Sequence, residues 1–188
     1  MKVFDKPGRE NTEEAVKLAV KEAKVRGLDI LMASTRGLSV PVVLAEAKEQ
    51  DYQGRIIAVT HAYGYGEKNT IEISDDVKKE LQDQGVIFVT GTHTLSAGER
   101  GISKVYKGIF PLELVAQTLR MFGHGIKVAV EIAIMAADQG IVKEGEPILC
   151  LCGTSGGEDT VAIVTPAVSN RLFELRVNEV LAKPGLYF

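Results

Sequence analysis

Short apolar runs alternate along this chain with longer stretches in which apolar residues recur every three or four positions, the signatures of buried strands and amphipathic helices. A first helix is expected from Asn11, with Glu14 placed to complete a capping box, Val16, Ala19, Val20 and Ala23 as its apolar stripe, and Gly27 at its end. Leu28 to Ala33 reads as a strand, Ser34-Thr35-Arg36-Gly37 as a polar turn, and Val42 to Lys48 as a second helix. The unit repeats with Arg55 to Thr60 as a strand, a loop carrying His61, Tyr63 and Tyr65, and a helix capped near Ser74. Val86 to Thr90 is another strand, followed by a long polar passage from Gly91 to Gly108 and a helix from Pro111 to about Phe122.

Gly123-His124-Gly125 interrupts the helical period, and Lys127 to Gln139 resumes it with apolar residues on nearly every side, as in a helix buried between layers or subunits. That helix is the reason to expect a homo-oligomer. Ile148 to Cys152 is a fourth strand, Gly153 to Asp159 a glycine-rich loop, and Val161 to Thr165 a strand close enough to return antiparallel. Leu172 to Leu181 alternates weakly and is a candidate edge strand. Strands that lack inside–outside alternation are buried on both faces, so the pattern predicts an α/β fold, a three-layer α/β/α sandwich forming one domain over residues 1–188. Right-handed crossovers then gather the strand-to-helix loops at one edge of the sheet, where ligands of such folds bind.

Composition narrows the partners. A net charge of -3 offers no basic field for nucleic acid or an anionic membrane, so a bound anion has to be held by local geometry. No stretch reaches the ~20 apolar residues of a membrane span. Met1-Lys2-Val3-Phe4-Asp5 also lacks the apolar block of a signal peptide, and a cytoplasmic protein is expected. Cys150 and Cys152, alternate residues of one strand, read as buried thiols. The three histidines, His61, His93 and His124, are too scattered to argue for a metal, and none is assigned.

Candidate chemistry sits in the loops. Ser34-Thr35-Arg36-Gly37-Leu38-Ser39 joins a strand to a helix whose free N–H groups and positive dipole end favour a phosphate, although a plain capped turn has the same composition. Gly153-Thr154-Ser155-Gly156-Gly157 lets a ligand approach the backbone closely, or makes a tight hairpin. His93 and Glu99 are the candidate catalytic groups of the long passage, with a structural histidine and a surface Glu99–Arg100 pair as the alternatives. Tyr63 and Tyr65 offer a stacking surface beside His61. Glu131, alone in an apolar helix, is expected to pair with Lys127 one turn away.

Three passages resemble a known family: Lys6-Pro7-Gly8-Arg9-Glu10-Asn11-Thr12-Glu13-Glu14, His93 to Arg100, and Met121-Phe122-Gly123-His124-Gly125-Ile126-Lys127-Val128 running into Glu131 to Asp138. They are similar to the small stand-alone proteins related to the C-terminal α/β domain of pyruvate kinase, and the likeness spans essentially the whole chain. The resemblance implies a mixed five-stranded sheet in the order 3-2-1-4-5 with the last strand antiparallel. It gives Ser34, Thr35, Gly37 and Ser39 a phosphate-binding role, with Arg36 as a bulky departure from the family loop. It also implies an association with flavin mononucleotide (FMN), while kinase activity does not follow, because that chemistry belongs to a separate barrel domain. On this reading Ser34 to Ser39 grip the phosphate, and Thr60, His61, Thr92, His93, Arg100 and Gly153, Thr154, Ser155, Gly156 and Gly157 surround the rest of the flavin. The competing expectation is a non-catalytic sensor for a sugar phosphate or another phosphorylated metabolite.

Overall fold

The apolar runs pair into a single mixed sheet of seven strands, not the expected five. The computed structural model describes residues 1–185. In chain order the strands are β1 (Lys2–Phe4), β2 (Ile30–Ala33), β3 (Ile56–Val59), β4 (Ile87–Val89), β5 (Ile148–Cys152), β6 (Thr160–Thr165) and β7 (Arg176–Pro184). The helices are α1 (Thr12–Arg26), α2 (Val40–Glu49), α3 (Asp75–Asp83), α4 (Ala97–Tyr106), α5 (Pro111–Arg120) and α6 (His124–Asp138).

Side by side, the strands stand β1-β7-β6-β5-β2-β3-β4. Only β6 runs against its neighbours, pairing antiparallel with β5 and β7. The strands read from the pattern occupy the run β4-β3-β2-β5-β6, and β7 and β1 extend the sheet past β6. The segment expected as an edge strand from Leu172 divides in two: Ser169–Glu174 is a 3-10 turn, and β7 lies inside the sheet because β1 pairs parallel with it. Three residues of β1 are too few to produce a period, and only pairing with a distant partner makes them a strand.

Alternation within each strand divides the core. Ile30, Met32, Ala58, Leu149 and Leu151 face α1 and α2, while Leu31, Ile57, Val59, Cys150 and Cys152 face α6. The thiols of Cys150 and Cys152 are therefore interior packing, and burial raises both above the usual thiol range. The α1 stripe of Ala15, Val16, Ala19, Val20 and Ala23 is buried as its period requires. Its start differs from the expected capping box: the Asn11 side chain donates to the Lys6 and Gly8 carbonyls, and Glu14 pairs with Lys2 at the surface.

The long passage from Gly91 to Gly108 contains α4, whose period is obscured in the sequence by Gly98 and Gly101, poor helix formers. Gly123 is not a break but the N-cap of α6, which begins at His124. Twelve of the fifteen α6 residues are buried, because one face packs on the sheet while Val130 and Ile134 pack with Leu95 and Ala116 beneath α5. Its apolar girth is thus explained by layers of its own chain. Among the described residues no helix is long and apolar enough to cross a membrane.

The first turn of α6 presses on the start of β6, where a Cβ added at Gly125 would sit 2.1 Å from Thr160 Oγ1. Gly125→Ala is expected to destabilise the fold by about 1–3 kcal/mol through overpacking, seen as a lower urea midpoint at unchanged slope.

Candidate functional site

The carboxyl ends of β2, β3, β4 and β5 lie on one edge, since these strands are mutually parallel. Chain order reverses at β2, with β3 on one side and β5 on the other, the position at which open α/β sheets leave a crevice. The loops after β2 and β5 face each other across a cavity of about 550 Å³. Its walls include Ser34, Thr35, Arg36 and Ser39 from the first loop and Gly153, Ser155, Gly156 and Gly157 from the second. His61, Glu72 and His124 close the sides.

Backbone geometry makes both loops donors. Ser34 N–H is used by Val59 O, whereas the N–H groups of Thr35, Arg36, Gly37, Leu38 and Ser39 have no acceptor among the described residues. Arg36 is exposed and forms no ion pair there. Gly153 and Gly157 are required by close approach: a Cβ on Gly153 would lie 1.9 Å from Gly157 O, and one on Gly157 would lie 2.4 Å from Arg9 Cα. Arg9 in turn donates from Nε to Ser155 O, which pins the glycine loop to the N-terminal segment.

The cavity lining also includes a buried carboxyl group, Glu158, just before β6. Glu158 is 2% exposed and accepts from Ser39 Oγ at 2.7 Å, while its Oε2 is buried without a partner. Burial, with the Asp159 charge beside it, holds the Glu158 carboxyl well above the usual range and outweighs the Ser39 bond, which favours its protonated form. Asp159, also buried, accepts from Gly8 N at 3.1 Å and Thr160 Oγ1 at 2.8 Å. The sequence signal for both was available: two acids opening an otherwise apolar strand.

A smaller compartment of about 160 Å³ continues from the cavity along the carboxyl edge, sharing Ala33, Thr35, His61, His124 and Val128 with it. Thr60, His93 and Arg100 line it, together with Tyr65, Arg120, Lys127 and Glu131. His61, Tyr65 and His93 form one aromatic cluster with ring centroids 4.2 to 5.1 Å apart. His61 Nδ1 is 2.8 Å from Glu72 Oε2, and Tyr65 OH accepts from Arg100. Tyr63 stands outside this cluster, hydrogen-bonded to Asn69 O and lining an outer hollow.

The expected Lys127–Glu131 pair is present and buried, 5% and 6% exposed. Glu131 also accepts from Leu95 N at 3.2 Å and Ser96 Oγ at 3.4 Å, so it ties α6 to the loop after β4. Desolvation lowers Lys127 from the ordinary lysine range despite its partner, and it lowers His93 and His124 too, aided by nearby cations. Both imidazoles are therefore neutral at pH 7.

Four residues expected at the site stand elsewhere. Gly37 turns its Cα toward Ile73, Val77 and Leu81, and Thr92 and Thr154 line neither compartment. Glu99 does not pair with Arg100 but accepts from Glu113 N at 3.0 Å, stabilising the first turn of α5. Conversely Glu72, Arg120, His124 and Glu158 join the walls, and only the fold brings them there. Among the described residues no group of three or more His, Cys, Asp or Glu is arranged to hold a metal ion. No family model matches the chain.

Two expectations follow. A carboxyl whose folded pKa is raised loses stability for the fold as pH climbs above its unfolded value near 4.3. Glu158→Gln should therefore match the parent near pH 4 and exceed it increasingly as pH rises above that, by at most about 1.4 kcal/mol per pH unit, in thermal or urea unfolding. Glu131→Ala leaves Lys127 buried without a partner and is expected to cost about 3–5 kcal/mol, whereas Lys127→Met combined with Glu131→Leu should recover most of that loss.

Proposed function

We propose that the protein binds a phosphorylated planar ligand, FMN foremost, with its phosphate at the loop after β2 and its ring toward the His61–Tyr65–His93 cluster. This reading includes the pyruvate kinase C-terminal type of fold that the sequence resembles. The observation that carries it is the set of four amides, those of Thr35, Arg36, Leu38 and Ser39, that have no acceptor among the described residues and whose residues line a 550 Å³ cavity. Unpaired backbone donors at the start of α2 are an anion site in waiting, and a cavity of this size falls in the range that takes drug-sized molecules, about 300–1,000 Å³.

The remaining wall chemistry suits the same ligand. Arg36 adds a guanidinium with no ion pair among the described residues, and burial raises the Glu158 carboxyl well above its usual range, which reduces its repulsion of an anion. Gly156 and Gly157 line the cavity, and their missing side chains let the loop pack against Arg9. A bound flavin supplies hydride or single-electron transfer. What this chain's residues contribute is grip, orientation and a partly desolvated wall of neutral imidazoles. Binding is the extent of the proposal, and no reaction is assigned.

The sensor reading differs in ligand chemistry and is separated by the same experiment. Mass spectrometry of the small molecule released on denaturation, followed by thermal shift with FMN, riboflavin and a sugar bisphosphate, is expected to identify FMN and to rank FMN above riboflavin. Stabilisation by the sugar phosphate alone transfers the site to the sensor reading. Thr35→Ala with Arg36→Ala should weaken FMN about tenfold or more, roughly 1.4 kcal/mol, and riboflavin much less. Equal losses for the two ligands would remove the phosphate from this loop.

A further inference from the structure

The 160 Å³ compartment carries a charge imbalance that its own residues do not resolve. Lys127 and Glu131 cancel, and Glu131 is further committed to Leu95 N and Ser96 Oγ. Arg100 and Arg120 also line the space, both half-buried, and neither is in an ion pair among the described residues. The single side-chain bond of Arg100 is a long one, 3.4 Å to Tyr65 OH. Two guanidinium groups beside a buried ion pair leave an excess of positive charge in a region of low dielectric, where a counter-charge is worth more than in water.

Val59, Val128, Ile132 and Met135 line the same space. Guanidinium groups combined with aliphatic side chains favour an amphiphilic anion over a fully hydrated one, because the aliphatic part of the lining returns no hydrogen bonds for the water an inorganic oxyanion would surrender. Volume sets the size. A cavity of about 150 Å³ accepts a molecule of roughly six heavy atoms, such as benzene, and the compartment holds about 160 Å³. The planar fork of arginine pairs with a carboxylate through two parallel bonds.

We propose that this compartment is a second binding site, specific for a short-chain aliphatic carboxylate held by Arg100 and Arg120 with its chain on Val128, Ile132 and Met135. The two compartments share Thr35, His61, His124 and Val128, so the acid lies edge to edge with whatever fills the larger cavity. As a substrate site this rests on the flavin reading, because the acid would then face the ring. As an anion site it stands without it.

The test is isothermal titration calorimetry on protein freed of co-purified ligand, at low salt, with butanoate, butanamide and inorganic phosphate as separate probes. Butanoate is expected to bind, with butanamide at least tenfold weaker and phosphate no stronger than butanamide. Arg100→Gln and Arg120→Gln should each weaken butanoate about tenfold. Unfolding midpoints of the variants without probe show that the fold is intact. No butanoate binding, equal binding of butanoate and butanamide, or binding indifferent to both arginines would overturn the proposal. Failure of FMN to bind while butanoate still does would remove the flavin reading and leave this site standing.

Discussion

The edge of the sheet is organised by two carboxyl groups removed from water, Glu158 and Asp159, at the entrance to β6. Isolated there they would be costly, and the segment that carries them is held by partners brought from far along the chain. Gly8 N reaches Asp159, Thr12 Oγ1 accepts from Glu158 N, and Ser39 Oγ donates to Glu158. Those contacts fasten the N-terminal segment, the start of α2 and the glycine loop to one another. The cavity is the space those fastened loops enclose, so its shape depends on satisfying two acids that the chain has buried.

One oxygen is left over. Glu158 Oε2 is the one buried side-chain polar atom without a partner among the described residues, and burial raises this carboxyl well above its usual range. The Lys127–Glu131 pair performs a comparable service on the other side of the crevice, where it anchors α6 to the loop carrying His93. The groove thus has two different electrostatic halves. Toward the glycine loop it offers backbone donors and a buried carboxyl, and toward α5 it offers guanidinium groups and aliphatic side chains. A ligand that spans both needs a different character at each end.

Much of this was legible in the residues. The strand–turn–helix units, the turn from Ser34 to Ser39, the glycine loop and the Lys127–Glu131 pair are local features, each within a few residues of chain, and local spacing reports them. The readings that failed were failures of reach. Glu99 looked like surface chemistry beside Arg100 and instead serves the first turn of α5, fourteen residues on. β1 gave no periodic signal because three residues have no period. The all-round apolar surface of α6 was ambiguous between layers and subunits, and it is resolved by α5 and the loop at Leu95 covering the face away from the sheet.

By itself the sequence determined which segments become strands and helices and which loops carry donors, because hydrophobic period and turn chemistry act over a handful of neighbouring residues. Tertiary structure alone decided that the sheet has seven strands, that Arg120 and Arg100 border one compartment, and that Glu158 is a buried acid with a raised pKa rather than a loop charge. Those outcomes depend on distances between residues remote in sequence and on the water excluded when they meet, quantities that no local pattern encodes.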